Sequence, residues 1–137
     1  MSDRILNKYT GRPPESTGDE AAISDPDGTE DLGAFGWLRG ARDRCIMLEL
    51  RKKSGTVLAI GYGWIERIEF DPSDGIRLHA GGKIIRIKGR NLNAEARAQV
   101  RLFQGITRHR VPWIQEADRV SDLRSDHKSV VVDAIEW

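Results

Sequence analysis

From Cys45 onward, apolar residues recur at every second position, in short runs separated by glycine-bearing turns. In Cys45-Ile46-Met47-Leu48-Glu49-Leu50, the side chains of Ile46, Leu48 and Leu50 share one face while Glu49 and Arg51 point the other way. That period of two is the mark of a half-buried strand. Residues 52–55 reverse the chain, and residues 56–60 return as the second arm of a hairpin. Gly61-Tyr62-Gly63 predicts a bulge or bend. Residues 64–70 predict a third strand, with Ile65 out of phase with Ile68 and Phe70, so an irregularity is expected near Ile65-Glu66. Asp71-Pro72-Ser73-Asp74-Gly75 carries turn chemistry. Ile76, Leu78 and Ala80 then face inward, Gly81-Gly82-Lys83 reverses the chain, and Ile85 and Ile87 return, which leaves Ile84 on the outer face.

After Gly89 the period changes. Asn93 is a reasonable N-cap, and Ala96, Val100 and Phe103 fall at i, i+4 and i+7, which predicts a helix over about 94–104 with one apolar stripe. Val111, Trp113 and Ile114 predict a short strand, with Pro112 favouring an edge. The expected architecture is mainly β: a small, strongly curled antiparallel barrel, Sm-like or related, of five to six strands with one short helix. Its domain spans residues 33–117, and Phe35, Trp37 and Leu38 dock a glycine-rich segment over one end. Residues 118–137 read as a polar linker followed by a C-terminal strand, Val130-Val131-Val132-Asp133-Ala134-Ile135-Glu136-Trp137, which must pair with something. Residues 1–32, with Arg12-Pro13-Pro14 and Ser24-Asp25-Pro26-Asp27-Gly28 and few large apolar side chains, read as a disordered acidic tail.

Charge sharpens the picture. The net charge is only +1, yet residues 41–117 hold 15 Lys/Arg against 8 Asp/Glu, while residues 1–40 hold 4 against 8. A basic body between acidic ends attracts phosphate or acidic partners. If the aliphatics of the 76–88 hairpin point inward, Arg77, His79, Arg86 and Lys88 share its outer face, where like charges on neighbouring strands favour a counter-anion. No carboxylate is expected among them. Arg90, Arg97, Arg101, Arg108 and Arg110 would extend the surface. The expected function is a non-enzymatic module that binds the backbone of DNA or RNA with little base specificity. A solvated strand face accounts for the same pattern. The alternative function is association with a protein partner or a second copy, through the edge near Trp113 or the final strand. The aromatic residues Tyr62, Trp64 and Trp113 read as core.

Catalytic chemistry is not expected. Cys45 is the single cysteine and reads as a buried small hydrophobe. His79, His109 and His127 have no zinc-ligand spacing, so neither a metal nor another cofactor is expected. Ser73, Asp74 and His79 supply a hydroxyl, an acid and a base, but the turn explains the first two and no oxyanion-hole motif accompanies them. No apolar stretch reaches the roughly 20 residues of a membrane span, and Asp3, Arg4 and Lys8 break any secretory leader, so the expected setting is cytoplasmic with no membrane partner.

Four stretches carry a resemblance: Arg42-Asp43-Arg44-Cys45-Ile46-Met47-Leu48-Glu49-Leu50, Phe70-Asp71-Pro72-Ser73-Asp74-Gly75-Ile76, Gly89-Arg90-Asn91-Leu92 and Arg108-His109-Arg110-Val111-Pro112-Trp113-Ile114-Gln115-Glu116. Together, over residues 42–116, they resemble a group of short bacterial proteins with no assigned activity. The resemblance implies one structural unit over roughly residues 33–117. It implies no site or substrate.

Overall fold

The computed structural model describes residues 28–40, 42–118 and 128–137. The alternating run builds the hairpin β3 (Met47–Arg51) and β4 (Val57–Gly61). A 3-10 turn at Tyr62–Trp64 leads into β5 (Ile65–Asp71), followed by β6 (Gly75–Ala80) and β7 (Lys83–Arg90) as an antiparallel meander. The irregularity expected near Ile65 is a bulge between Ile65 and Arg67. Ile84 is exposed as the phasing requires. Beyond the meander lie β8 (Glu95–Arg97), β9 (Val100–Arg101), α1 (Leu102–Thr107), β10 (Trp113–Gln115) and β11 (Val131–Glu136). Upstream, β1 (Thr29–Asp31) pairs with β2 (Gly36–Leu38).

The chain is mainly β with one short helix among the described residues, but its strands do not close into a strongly curled barrel. They form separate sheets: β10-β3-β4, β11-β7-β6-β5, and the ribbons β1-β2 and β8-β9. Closure stops at two seams. Between β4 and β5 the chain takes the 3-10 turn instead of running on as one bent strand. Between β10 and β11 the link is reduced to the Ala117 N–H on the Val132 carbonyl (2.8 Å) and the Ile135 N–H on the Glu116 carboxylate (2.6 Å). One core nevertheless joins the sheets: Leu48, Leu50, Ile76, Leu78, Ile85, Ile87, Ile114 and Ile135 are all buried in it. Each such side chain stabilises the fold by about 1.5–3 kcal/mol.

Other expectations need correcting. The sheet is not wholly antiparallel, because β10 lies parallel to β3. The helix expected over 94–104 is the β8–β9 ribbon, with α1 starting only at Leu102. The spacing of Ala96, Val100 and Phe103 fits a helix, but Gln99 sits at φ 67° and its N–H bonds the Glu95 carboxylate (3.0 Å), which turns the chain instead. The expected disordered tail lies outside the described residues over 1–27. Its last part does not fit the description, since Thr29–Asp31 pairs with Gly36–Leu38. The C-terminal strand finds its partner within the chain: β11 runs antiparallel to β7 and buries Val131, Val132 and Ile135.

Candidate functional site

The hairpin face is built as its phasing dictates, but it is not a carboxylate-free cluster. Arg77 stands directly across from Arg86 on one side and from Glu69 on the other. Arg77 Nε lies 3.5 Å from Asp74 and 3.8 Å from Glu69, and His79 Nε2 lies 2.8 Å from Glu69. Lys88 pairs with Glu136 (3.5 Å) and Arg90 with Asp133 (3.6 Å), both contributed by β11. Arg97 is forked onto Glu30 (2.7 Å) and Arg101 reaches Glu95 (4.0 Å). Of the hairpin cations Arg77, Arg86 and Lys88, only Arg86 has no ion pair among the described residues. The like-charge repulsion that would call for an outside anion is answered by neighbouring strands.

These pairs have a pH signature. Its hydrogen bond to His79 and the nearby Arg67 and Arg77 hold the Glu69 carboxyl below its ordinary value of 4.5. Arg97 does the same for Glu30, and the Ser73 hydroxyl and N–H do so for Asp71. A carboxyl whose folded value is depressed contributes stability that is complete above its unfolded value and lost as pH falls through the folded one. Thermal midpoints should therefore hold above about pH 4.5 and fall below it, with Glu69→Gln flattening part of the acid limb. Parallel acid limbs for the two proteins would remove Glu69 from this account.

The second surface is the free edge of β4. Glu49 donates its N–H to the Pro112 carbonyl (3.0 Å), and the Arg51 carbonyl accepts from the Glu116 N–H (2.9 Å), so both residues turn their backbone groups toward β10. The residues opposite them, Ala59 and Val57, must turn theirs away from β3, and Gly61 follows by alternation. No other described strand pairs with β4. The strand carries no charge, and exposed apolar side chains lie on or beside it: Trp64 is 70% exposed, Val57 51% and Met47 45%. Met47 and Trp64 flank Gly61, and with Ala59, Ile60, Ala80 and Gly81 they line a shallow groove beside the edge. Sequence reasoning placed Trp64 in the core. Its position in a 3-10 turn, out of strand alternation, puts it in solvent instead.

The third surface gathers arginines from two segments. Arg42, Arg44, Arg108 and Arg110, with Asp43 and Trp37, line a concavity of about 410 Å³. Arg110 is the staple. Its guanidinium donates to the carbonyls of Leu38, Gly40 and Asp43 (3.0 Å for Asp43) and lies 5.6 Å from the Trp37 ring centre. Trp37 sits that close to α1 because Gly105 has no side chain: a Cβ there would meet the indole and Val111. Arg108 and Arg110 were expected in a basic surface. Arg42 and Arg44 were missed: Arg42-Asp43-Arg44 and Arg108-His109-Arg110 are both plain in the chain, but only the fold brings these distant runs together.

The remaining features carry less chemistry. Burial pushes the Cys45 thiol up to about 11, against the pull of Arg110, so it is a poor nucleophile at neutral pH. Tyr62, raised by burial, gives its hydroxyl proton to the Val111 carbonyl (2.6 Å) and stacks on His109. A cavity of about 610 Å³ mixes Asp31, Glu116 and Asp118 with Arg51, Lys52 and Lys53, so it favours neither sign of ligand. His127 lies outside the described residues. No described helix is long and apolar enough to cross a membrane. No family model, curated protein or solved structure matches this chain.

Proposed function

We propose that the protein is a non-enzymatic interaction module that pairs with a second copy of itself along β4. The observation that carries this reading is the unguarded edge. Val57, Ala59 and Gly61 offer outward N–H and C=O groups from a strand with no lysine, proline or bulge to discourage pairing. The edge is also its own complement. An antiparallel twofold through Ala59 sets Ala59 against its mate and Val57 against Gly61, which are small enough for close approach. Each outward group then meets its opposite, as an isologous contact requires. Trp64, Met47 and Val57 lose water at the same interface, which adds an apolar driving force. The other expected routes to association are partly taken up within the chain. The final strand lies on β7, and the far side of β10 is taken by the Phe35–Ile114 bridge and the Gln115 N–H on the Ala34 carbonyl.

A nucleic-acid surface across the 76–88 hairpin draws support from the positive balance of the span, but its cations face Glu69, Asp74 and Glu136. Sedimentation over a range of concentrations tests the self-association reading. Ala59→Pro removes one outward N–H without touching the β3–β4 ladder, since a proline is tolerated where the N–H faces away from the sheet. The wild type should sediment as a concentration-dependent dimer, and Ala59→Pro should raise its dissociation constant by at least about tenfold with its circular dichroism unchanged. A wild type that stays monomeric, or a dimer indifferent to Ala59→Pro, defeats the reading.

A further inference from the structure

The arginine concavity gathers basic side chains with little acidic compensation. Elsewhere basic side chains are repeatedly matched by carboxylates: Arg51 with Glu49, Arg67 with Glu69, Arg97 with Glu30, Arg101 with Glu95. Around the concavity, four guanidiniums meet one carboxylate, Asp43. Arg42, Arg44 and Arg108 have no ion pair among the described residues, and the one side-chain hydrogen bond among them is a long contact from Arg44 to the Arg108 carbonyl (3.4 Å). Arg110 spends its donors on backbone carbonyls, but those carbonyls do not neutralise its charge. It also ties down Leu38, Gly40 and Asp43, the neighbours of Arg42 and Arg44. The fold thus assembles a positive concavity and uses one arginine to hold it in shape.

We propose that this concavity binds the phosphodiester backbone of nucleic acid. A guanidinium fork matches phosphate oxygens, and three forks unspent on protein carboxylates leave their donors for a ligand. Arg42, Arg44 and Arg108 come from separate points of the chain and are exposed, which suits successive phosphates along a strand better than enclosure of one free phosphate. Trp37 supports Arg110 and packs against Gly105, so its ring serves as a seat within the wall. Recognition then rests on the backbone and tolerates any base sequence. This proposal is independent of the β4 edge, which uses other residues and another kind of partner.

The test is a fluorescence-polarisation titration of the full chain with single- and double-stranded oligonucleotides at two salt concentrations, with inorganic phosphate as competitor. Three phosphate contacts give a slope of log affinity on log salt of about −2 to −3, or a fall of about 20- to 40-fold between 50 and 200 mM salt. Arg42→Glu/Arg44→Glu/Arg108→Glu should abolish binding, and the matching triple glutamine variant should flatten the salt slope. Both changes lie on exposed side chains, and an unchanged thermal midpoint separates lost binding from lost fold. Arg77→Glu/Arg86→Glu/Lys88→Glu should leave oligonucleotide affinity within a few-fold of wild type. The proposal is overturned by absent or salt-independent binding, by binding that survives both concavity variants, or by binding that the hairpin variant alone destroys. Complete competition by inorganic phosphate at the oligonucleotide's own concentration would also overturn it, by showing a small-anion site.

Discussion

Gly89→Val should strip the C-terminal strand from its sheet and leave most of the protein unfolded at ordinary temperature. Gly89 pairs with Val132 where β11 bulges toward Ala134. A Cβ at this position would fall inside the Val131 carbonyl oxygen and come within 3.0 Å of the Val132 Cα. Both obstacles are backbone, so neither can rotate away, and the strand itself must move. Its departure exposes Val131, Val132 and Ile135, at about 1.5–3 kcal/mol each, or about 4.5–9 kcal/mol in all. The upper figure assumes a fully extended unfolded chain and so overstates the loss. Even the lower one is comparable with the whole stability of an ordinary domain, about 5–15 kcal/mol. Chemical denaturation of wild type and variant measures it, with Lys88→Ala as the neighbouring surface control, expected to cost under about 1 kcal/mol. A Gly89→Val protein as stable as wild type would mean that β11 does not lie on β7 within this chain.

That strand also shows where sequence reading stopped. The hairpins between Met47 and Arg90 were legible because consecutive strands pair with each other, so inside–outside phasing and turn residues sit in one window. Pairings that join distant segments leave no such trace. Nothing in Trp113-Ile114-Gln115 announces a parallel partner at Glu49-Leu50-Arg51, and nothing in the last eight residues names β7. The helix expected at 94–104 failed for a different reason. The apolar spacing was ambiguous, and a non-glycine residue, Gln99, took the left-handed turn that decided it. The same distance effect misjudged the hairpin face. Arg77 and Lys88 were grouped correctly, but Glu136 arrives from a strand almost fifty residues later. Asp74 was in plain view three residues before Arg77 and was assigned wholly to its turn.

The two surfaces that replace the hairpin face share a support. Residues 42–44 carry two of the concavity's four arginines, and Met47, three residues on, lies beside the β4 edge. Cys45 stands between them, its N–H on the His109 carbonyl (2.7 Å), so this short stretch is anchored from within. Alternation explains the division of labour only from Met47 onward. Before it, the segment is irregular, and its shape depends on what Arg110 and the docked 33–40 segment hold in place.

Phe35→Ala is therefore expected to damage stability and the concavity together. Phe35 is fully buried, bridges to Ile114, and belongs to the core shared by both large sheets. Truncating a buried phenylalanine costs about 3–5 kcal/mol through lost burial and the cavity left behind. The same side chain pins the segment whose Leu38 and Gly40 carbonyls receive Arg110. Loosening it releases the staple that shapes Arg42 and Arg44 into one wall. Urea denaturation should show a lower midpoint with an unchanged slope, the sign of a weakened native state that still unfolds as one unit. Phe35→Leu keeps most of the volume and should fall between wild type and alanine. A loss under about 1 kcal/mol for Phe35→Ala would place the 33–40 segment outside the cooperative core. The concavity would then owe its shape to Arg108 and Arg110 alone.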